Sequence, residues 1–320
     1  MNNINETPSI EGQQRRNALT SFLFKLFREK PLGAVCGVIT LVLLLIGIFA
    51  DVLAPYGMNE TSGNRLLPPS AEYWLGTDDL GRDLLSRVIH GARVSMVVGL
   101  SVSLLGTIIS VGIGALSGYL GGKFDMILQR FVDAWLCFPA LLLYLVVMSF
   151  VGLGMLQVIL VLSLAFGIGG SRFFRNITIS LRENDYVTAA KAIGCSPTRI
   201  FIRHIVINMM GYIIVALTVR VPEVILAEAS LSFLGLGIPP PNPSWGSMLS
   251  TSARTYMVTA PWLAIWPGLA LSISVYAVNM FGDALRDLLD LRLRGGQGSY
   301  GTAMVKRKRG FFSRLLNPFS

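Results

Sequence analysis

The stretch from Asn184 to Ile207 lies between two long apolar runs, too polar to stay in hydrocarbon and too regular to be a plain connector. Asp185 is placed to cap a first short helix, whose body Tyr186, Val187, Thr188, Ala189, Ala190, Lys191, Ala192, Ile193 ends at Gly194, a residue suited to the left-handed conformation that follows a helix. Ser196 is placed to cap a second helix, with Pro197 at its first position, where a missing N–H costs nothing. On that second helix Ile200, Phe201 and Ile205 share one side, and Arg199 and Arg203 another. The chemistry on offer is mechanical rather than covalent. Paired alanines beside a glycine leave so little side-chain bulk that another protein's surface can approach the backbone closely. Spacing alone leaves two readings open, a docking plug for a partner protein and a pair of helices lying on a membrane surface. A DNA-binding helix-turn-helix is disfavoured by the apolar runs on either side.

The second group consists of Asp133, Arg220, Glu223 and Glu228, all within apolar runs. A charge near the centre of a bilayer costs at least ~2.5 kcal/mol on insertion scales, so such groups face protein or water. Arg130 and Asp133 are three residues apart, as are Arg220 and Glu223, so each pair can meet on one helix face. Internal pairing and a role lining a transport path both remain open. Pro222 is expected to kink its helix.

Covalent catalysis finds little support. No GxSxG, HExxH or paired CxxC pattern occurs, and the two histidines, His90 and His204, have no evident catalytic partner or metal-ligand spacing. The nearest approach to a nucleotide-binding loop, Ser117 to Phe124, lacks the first glycine and the closing Ser or Thr of a Walker A motif. Cys36, Cys137 and Cys195 imply no disulfide framework.

The elements that must position these residues follow from the composition. With 52% hydrophobic and 14% charged residues over 320 positions, the chain carries more apolar surface than a soluble core needs. Its formal charge of +9 raises nucleic acid as a partner, but the basic residues fall between apolar runs rather than on one face. Six segments are long enough, or nearly so, to cross a hydrocarbon core of ~30 Å: Leu32–Leu53, Val94–Tyr119, Phe131–Val151, Met155–Gly170, Met210–Leu236 and Trp262–Phe281. About thirty residues precede the first, and no small-x-small site follows it, which argues against a cleaved signal peptide. Lys and Arg concentrate in the arm before span one, the second-to-third loop, the fourth-to-fifth loop and the tail, so both termini are expected in the cytoplasm. The order expected is a cytoplasmic arm (1–31), span one (32–53), an external segment (54–93), a core (94–285) containing the loop 184–208, and a basic tail (286–320).

Two outside segments, Ala54–Ala92 and Gly237–Pro261, hold prolines that stiffen them into defined elements. The tail residues Lys306–Arg309 with Phe311, Phe312 and Leu315 suit a membrane-surface anchor or a disordered tail. Gly114, Gly118 and Gly122 at four-residue spacing open a groove for close helix approach.

Residues Tyr186 to Asn208, YVTAAKAIGCSPTRIFIRHIVIN, resemble the EAA loop of the permeases of ABC importers. The matching positions are Ala189, Ala190, Gly194, Ser196, Pro197, Arg199, Arg203, His204, Ile205 and Asn208, while Thr188 and Ile207 stand where that family usually has glutamate and proline. WLGTDDLGRDLLSRVIHGARVS (Trp74–Ser95), RFVDAWLCFPALLL (Arg130–Leu143), ILAEASLSFLGLGIPPPNPSWGSML (Ile225–Leu249) and FGDALRDLLDLRL (Phe281–Leu293) are similar to the C-type permease of dipeptide, oligopeptide and nickel importers, with Leu291 in place of a common proline. The resemblance implies an all-α integral membrane protein of six transmembrane helices in a bacterial cytoplasmic membrane. It also implies that Asp185, Tyr186, Ala189, Ala190, Gly194, Ser196, Pro197 and Arg199 form coupling helices that fit a cleft on an ATPase. The implied partners are a second homologous permease, two cytoplasmic ATPases, an external substrate-binding protein and the lipid bilayer, with no nucleic acid. ATP and Mg would be bound by the ATPases, and no cofactor or metal by this chain. Peptides are the expected cargo, with nickel or another small solute as the alternative; the rival of another class is a passive channel or membrane scaffold.

Overall fold

The computed structural model describes residues 18–294. In chain order the helices are α1 (Ala18–Glu29), α2 (Pro31–Ile48), α3 (Ala50–Leu53), α4 (Leu84–Leu120), α5 (Gly122–Leu136), α6 (Ala140–Val151), α7 (Met155–Arg182), α8 (Asp185–Ala192), α9 (Pro197–Ile200), α10 (Ile207–Phe233), α11 (Trp245–Thr255) and α12 (Trp262–Arg294). A π-helical stretch, Phe201–Val206, joins α9 to α10. The only extended pairings among the described residues are two isolated bridges, Thr61 with Arg82 and Thr77 with Asp83. The chain is therefore all-α.

Five helices are long and apolar enough to cross a membrane, and the pair α5 and α6 adds a sixth crossing if it is counted as one bent span. The third candidate span, Phe131–Val151, is divided between two helices: α5 and α6 meet at 91°. Pro139 is the reason. It cannot donate a helical hydrogen bond, and it pushes the preceding residue out of the helical region. Other spans run further than the hydropathy suggests. The second begins at Leu84 rather than Val94, started by the Asp83 carboxylate accepting from the Ser86 amide at 2.7 Å. The fourth continues to Arg182, so Arg172, Arg175 and Arg182 ride on a helix rather than in a loop. The sixth continues to Arg294. Charged residues end an apolar run without ending a helix.

In the core α4 and α7 run parallel, and α2 and α12 run antiparallel. At Gly114 a Cβ would stand 2.1 Å from the Ser171 carbonyl oxygen, and at Gly118 2.7 Å from that of Arg175, so these two glycines let α4 and α7 touch backbone to backbone. Gly122 differs from its expected place in that groove. It lies beyond α4, at the first position of α5 and at positive φ, where a Cβ would meet nothing within 4 Å. The α2–α12 contact is as tight, since a Cβ on Gly33 would collide with Ala284, and Lys30 pairs with Asp287 at 2.6 Å beside it. Outward-facing Val38, Leu41, Leu45 and Ile48 on α2 remain exposed, as a lipid-facing surface requires. Helix α10 is continuous through Pro222.

One end of the bundle is capped by residues 54–83 and by α11. Asp78 organises this cap. Its carboxylate accepts from the backbone amides of Leu80 and Arg82 and pairs with Arg82 at 2.7 Å and Arg87 at 3.4 Å. Thr77 donates to the Asn64 carbonyl, and the Trp262 indole donates to the Thr77 carbonyl, which fixes the cap to α12. Trp245 on α11 is buried against Gly91 and donates to the Val88 carbonyl of α4 at 3.1 Å. The opposite end carries the α8–α9 segment and the amino-terminal side of α2. Arg15, Arg16 and the basic tail at Lys306–Arg309 lie outside the described residues.

Candidate functional site

The segment after α7 folds as two helices, with differences that matter. Asn184, not Asp185, occupies the N-cap position of α8, though its side chain donates to the Ser180 and Leu181 carbonyls rather than capping; Asp185 sits at the first position, where its charge favours the helix N-terminus. The helix closes at Ala192, and Gly194 adopts φ +81°, the left-handed conformation its type suits. Ser196 then caps α9, its hydroxyl accepting from the Arg199 amide at 3.4 Å, with Pro197 at the first position. The second helix is not a separate short element. Phe201–Val206 continues it as π-helix, and Val206 and Ile207 keep helical dihedrals, so Pro197 to Phe233 is one body of 37 residues. Whatever pushes on α9 pushes on α10.

The segment has an inner and an outer side. Val187, Ala190 and Ile200 are buried together, against Tyr119 and Cys195. Ile205 and Met209 are buried with Ala115 and Phe174 of α4 and α7. The Tyr119 hydroxyl donates to the Pro197 carbonyl at 2.9 Å, and its ring lies 5.2 Å from that of Phe201. Facing away are Asp185, Tyr186, Ala189, Ile193, Gly194, Ser196, Pro197, Arg199 and Arg203. The alanine pair therefore divides: Ala189 is exposed, while Ala190 is 5% exposed and serves internal packing rather than an outer surface. Ile193, 81% exposed at the tip, is an apolar residue that the described residues leave uncovered. The outer surface is small, partly apolar and rimmed by Lys191, Arg199 and Arg203.

Two features beneath it escaped the sequence reading. Tyr119 looked like the last residue of an apolar run, though it holds α4 to the segment. Asp125 of α5 accepts from the Arg175 Nε at 2.6 Å and from Ser117, whose hydroxyl in turn accepts from Gln129 at 3.0 Å. Arg182 donates to the Tyr119 carbonyl at 3.0 Å. These bonds tie α4, α5 and α7 together at the end where α8 and α9 protrude. An acidic residue fifty positions before an arginine gives no local signal.

The four charged residues of the apolar runs separate into three situations. Asp133 lies in the last turn of α5, next to the bend, and pairs with Arg130 at 3.4 Å, as its spacing suggests, and also with Arg172 of α7. Glu228 is fully buried; it accepts from Ser232 at 2.7 Å and pairs with no cation among the described residues, so it faces no open path. Arg220 and Glu223, which their spacing allows to meet, form no ion pair within 4 Å among the described residues. The Arg220 Nη1 donates to the hydroxyls of Thr107 at 3.3 Å and Ser110 at 3.2 Å, while Glu223 is exposed. Both line a cavity of about 290 Å³ at the bend between α5 and α6.

A bundle of apolar helices with irregular structure confined to its ends, a protruding helix pair at one of them and polar groups buried between helices defines a multi-pass membrane protein. The model of the family described as "Binding-protein-dependent transport system inner membrane component" matches residues 110–295, and that of the "N-terminal TM domain of oligopeptide transport permease C" matches residues 22–69. The chain belongs to this family of inner membrane transport components: it is a permease subunit of a binding-protein-dependent ABC importer. Among its relatives, a putative peptide transport system permease protein of Brucella suis is 44% identical over 261 residues, which cover 80% of this chain and 88% of that protein. The oligopeptide transport system permease protein OppC of Bacillus subtilis is 37% identical over 84% of this chain and 88% of its own length. The glutathione transport system permease protein GsiD of Escherichia coli is 35% identical over 91% and 96%.

Proposed function

We propose that this chain passes peptides across a bacterial cytoplasmic membrane as one of two homologous permeases, driven by two ATPases seated on the cytoplasmic side. The names of the relatives above, which specify peptides, oligopeptides and glutathione, support the cargo class. In this reading α8 and the start of α9 enter a cleft of one ATPase, ATP and Mg are held by the ATPases alone, and a soluble binding protein delivers cargo to the end capped by residues 54–83. Both termini then lie in the cytoplasm, with the loop 184–208. The boundaries of the arm, external segment, core and tail follow from the same orientation, with the second span taking in residues from Leu84.

The observation that carries the reading is the unbroken helix from Pro197 to Phe233. A displacement delivered at Ser196, Pro197 and Arg199 has no hinge in which to dissipate before it reaches Arg220 and Glu223. The π-helical turn at Phe201–Val206 is the one irregular step, and Ile205 and Phe201 within it are held by packing against α4 and α7. ATP-driven closure of the ATPases would therefore tilt α10 against the α4–α7 pair, alternately exposing the path on either side, and hydrolysis would reset it.

Ala189→Trp tests this directly. Ala189 is exposed on a helix, so the larger side chain fits the chain itself and obstructs only a partner. The expected outcome is loss of ATP-coupled peptide uptake by reconstituted complex, by at least about tenfold, and weakened retention of the ATPases on purification. Undiminished coupled uptake would refute the docking, and conduction by the purified chain without nucleotide would establish the channel instead.

A further inference from the structure

Arg220 touches no anion among the described residues, and Glu223 acts on its charge only from a distance. The two hydroxyls that accept from its Nη1 are neutral, and Ser110 spends its own proton on the Gly167 carbonyl at 2.9 Å, so it offers the arginine a lone pair. The Nη2 lies over Gly170, where a Cβ would stand 2.1 Å from it, so the glycine makes room for the guanidinium. One turn further on, Glu223 takes part in no hydrogen bond or ion pair among the described residues, although long flexible side chains at this spacing can reach each other. An apolar environment favours collapse of such a pair into a salt bridge, because an isolated charge in hydrocarbon costs several kcal/mol or about 2.5 on the most lenient scale. The arginine is instead fixed elsewhere. Its face must therefore meet water, protein or ligand rather than lipid.

The cavity that both residues line has aromatic walls, Trp135, Phe138, Tyr144 and Phe166, and lies at the 91° bend. A second cavity of about 260 Å³, lined almost wholly by apolar side chains, shares Trp135, Leu143, Tyr144 and Ala165 with it. A cation, an anion and an adjoining apolar chamber are the complement of a short peptide with free ends. The Cβ atoms of residues one turn apart are about 5–6 Å from each other, and an extended dipeptide spans at most ~7 Å. We propose that Arg220 binds the terminal carboxylate and Glu223 the terminal ammonium of a di- or tripeptide in transit, with an apolar side chain in the adjoining cavity. This rests on the peptide-importer reading above. Arginine suits the task because its planar fork can give one edge to Thr107 and Ser110 and another to a carboxylate.

The test uses the complete complex in proteoliposomes with its binding protein, and three forms of one apolar dipeptide: free at both ends, amidated at the carboxyl end, and acetylated at the amino end. The binding protein is the same in every arm and is used saturated, so a change in the uptake ratio between peptides belongs to the permease. Arg220→Gln is expected to lower uptake of the free dipeptide about tenfold while leaving the amidated form near its wild-type rate. Glu223→Gln is expected to do the same for the free against the acetylated form. Equal losses for all three peptides, with the ATPases still bound, would assign Arg220 and Glu223 to helix packing and overturn the proposal, as would unchanged ratios. Should Arg220→Gln not assemble, Glu223→Gln decides alone, since that side chain is exposed and makes no hydrogen bond or ion pair among the described residues. Wild-type complex that couples ATP to no peptide at all overturns the cargo reading itself, a result separate from any variant.

Discussion

At the end capped by residues 54–83 the backbone is almost wholly irregular, yet a buried carboxylate, Asp78, holds two guanidiniums and two backbone amides, and Trp262 and Trp245 fasten the surrounding segments to α12 and α4. At the other end the α8–α9 segment is helical and is fastened to α4 by a neutral bond, Tyr119 to Pro197, while the charged pair Asp125–Arg175 ties only the helices beneath it. Irregular chain leaves many amides and carbonyls to be satisfied and needs a concentrated hub to do so. Helix satisfies its own and can stand proud of the bundle with light support. The contrast suits a fixed surface at one end and a part that is pushed at the other.

Three measurements break or sharpen that contrast, in order of expected size. Asp78→Ala should lower stability by about 3 kcal/mol, because it strands the buried Arg87, the half-buried Arg82 and two amides; denaturant unfolding of the detergent-solubilised chain reads it, and Asp78→Asn should recover part of the loss. Tyr119→Phe should cost about 1 kcal/mol and loosen only the plug end. Its sharper readout is a faster reaction of Cys195 with a maleimide, since Cys195 packs in the cluster that Tyr119 covers. Ser196→Ala should cost no more than about 0.5 kcal/mol, at the low end for a cap, because the bond it removes is 3.4 Å long. If Asp78→Ala proved no more damaging than Ser196→Ala, the two ends would not differ in construction as described.

How far each feature could be read from the chain depends on the reach of the interaction behind it. The α8 and α9 helices were legible because a cap, a first-position proline and a left-handed glycine act within one turn, and Ser196, Pro197 and Gly194 are where such signals belong. The N-cap position, at Asn184 rather than Asp185, was missed by one residue, since both types suit it. The extent of the apolar runs revealed the spans but not their ends, because Arg172, Arg175 and Arg182 extend α7 beyond hydrocarbon without breaking its helix.

Composition and periodicity determined by themselves that the chain is helical, crosses a membrane and carries two short helices between its fourth and fifth spans, because these properties depend on neighbours along the chain. Tertiary structure alone decided that Ala189 faces out and Ala190 in, that Pro139 turns the third span through 91°, and that Arg220 bonds to Thr107 and Ser110 instead of Glu223. The arginine's partners lie more than a hundred positions away, and only the packing of α4 against α10 brings them within reach. Spacing on one helix shows which charges can meet; the competing donors and acceptors of other helices settle which of them do.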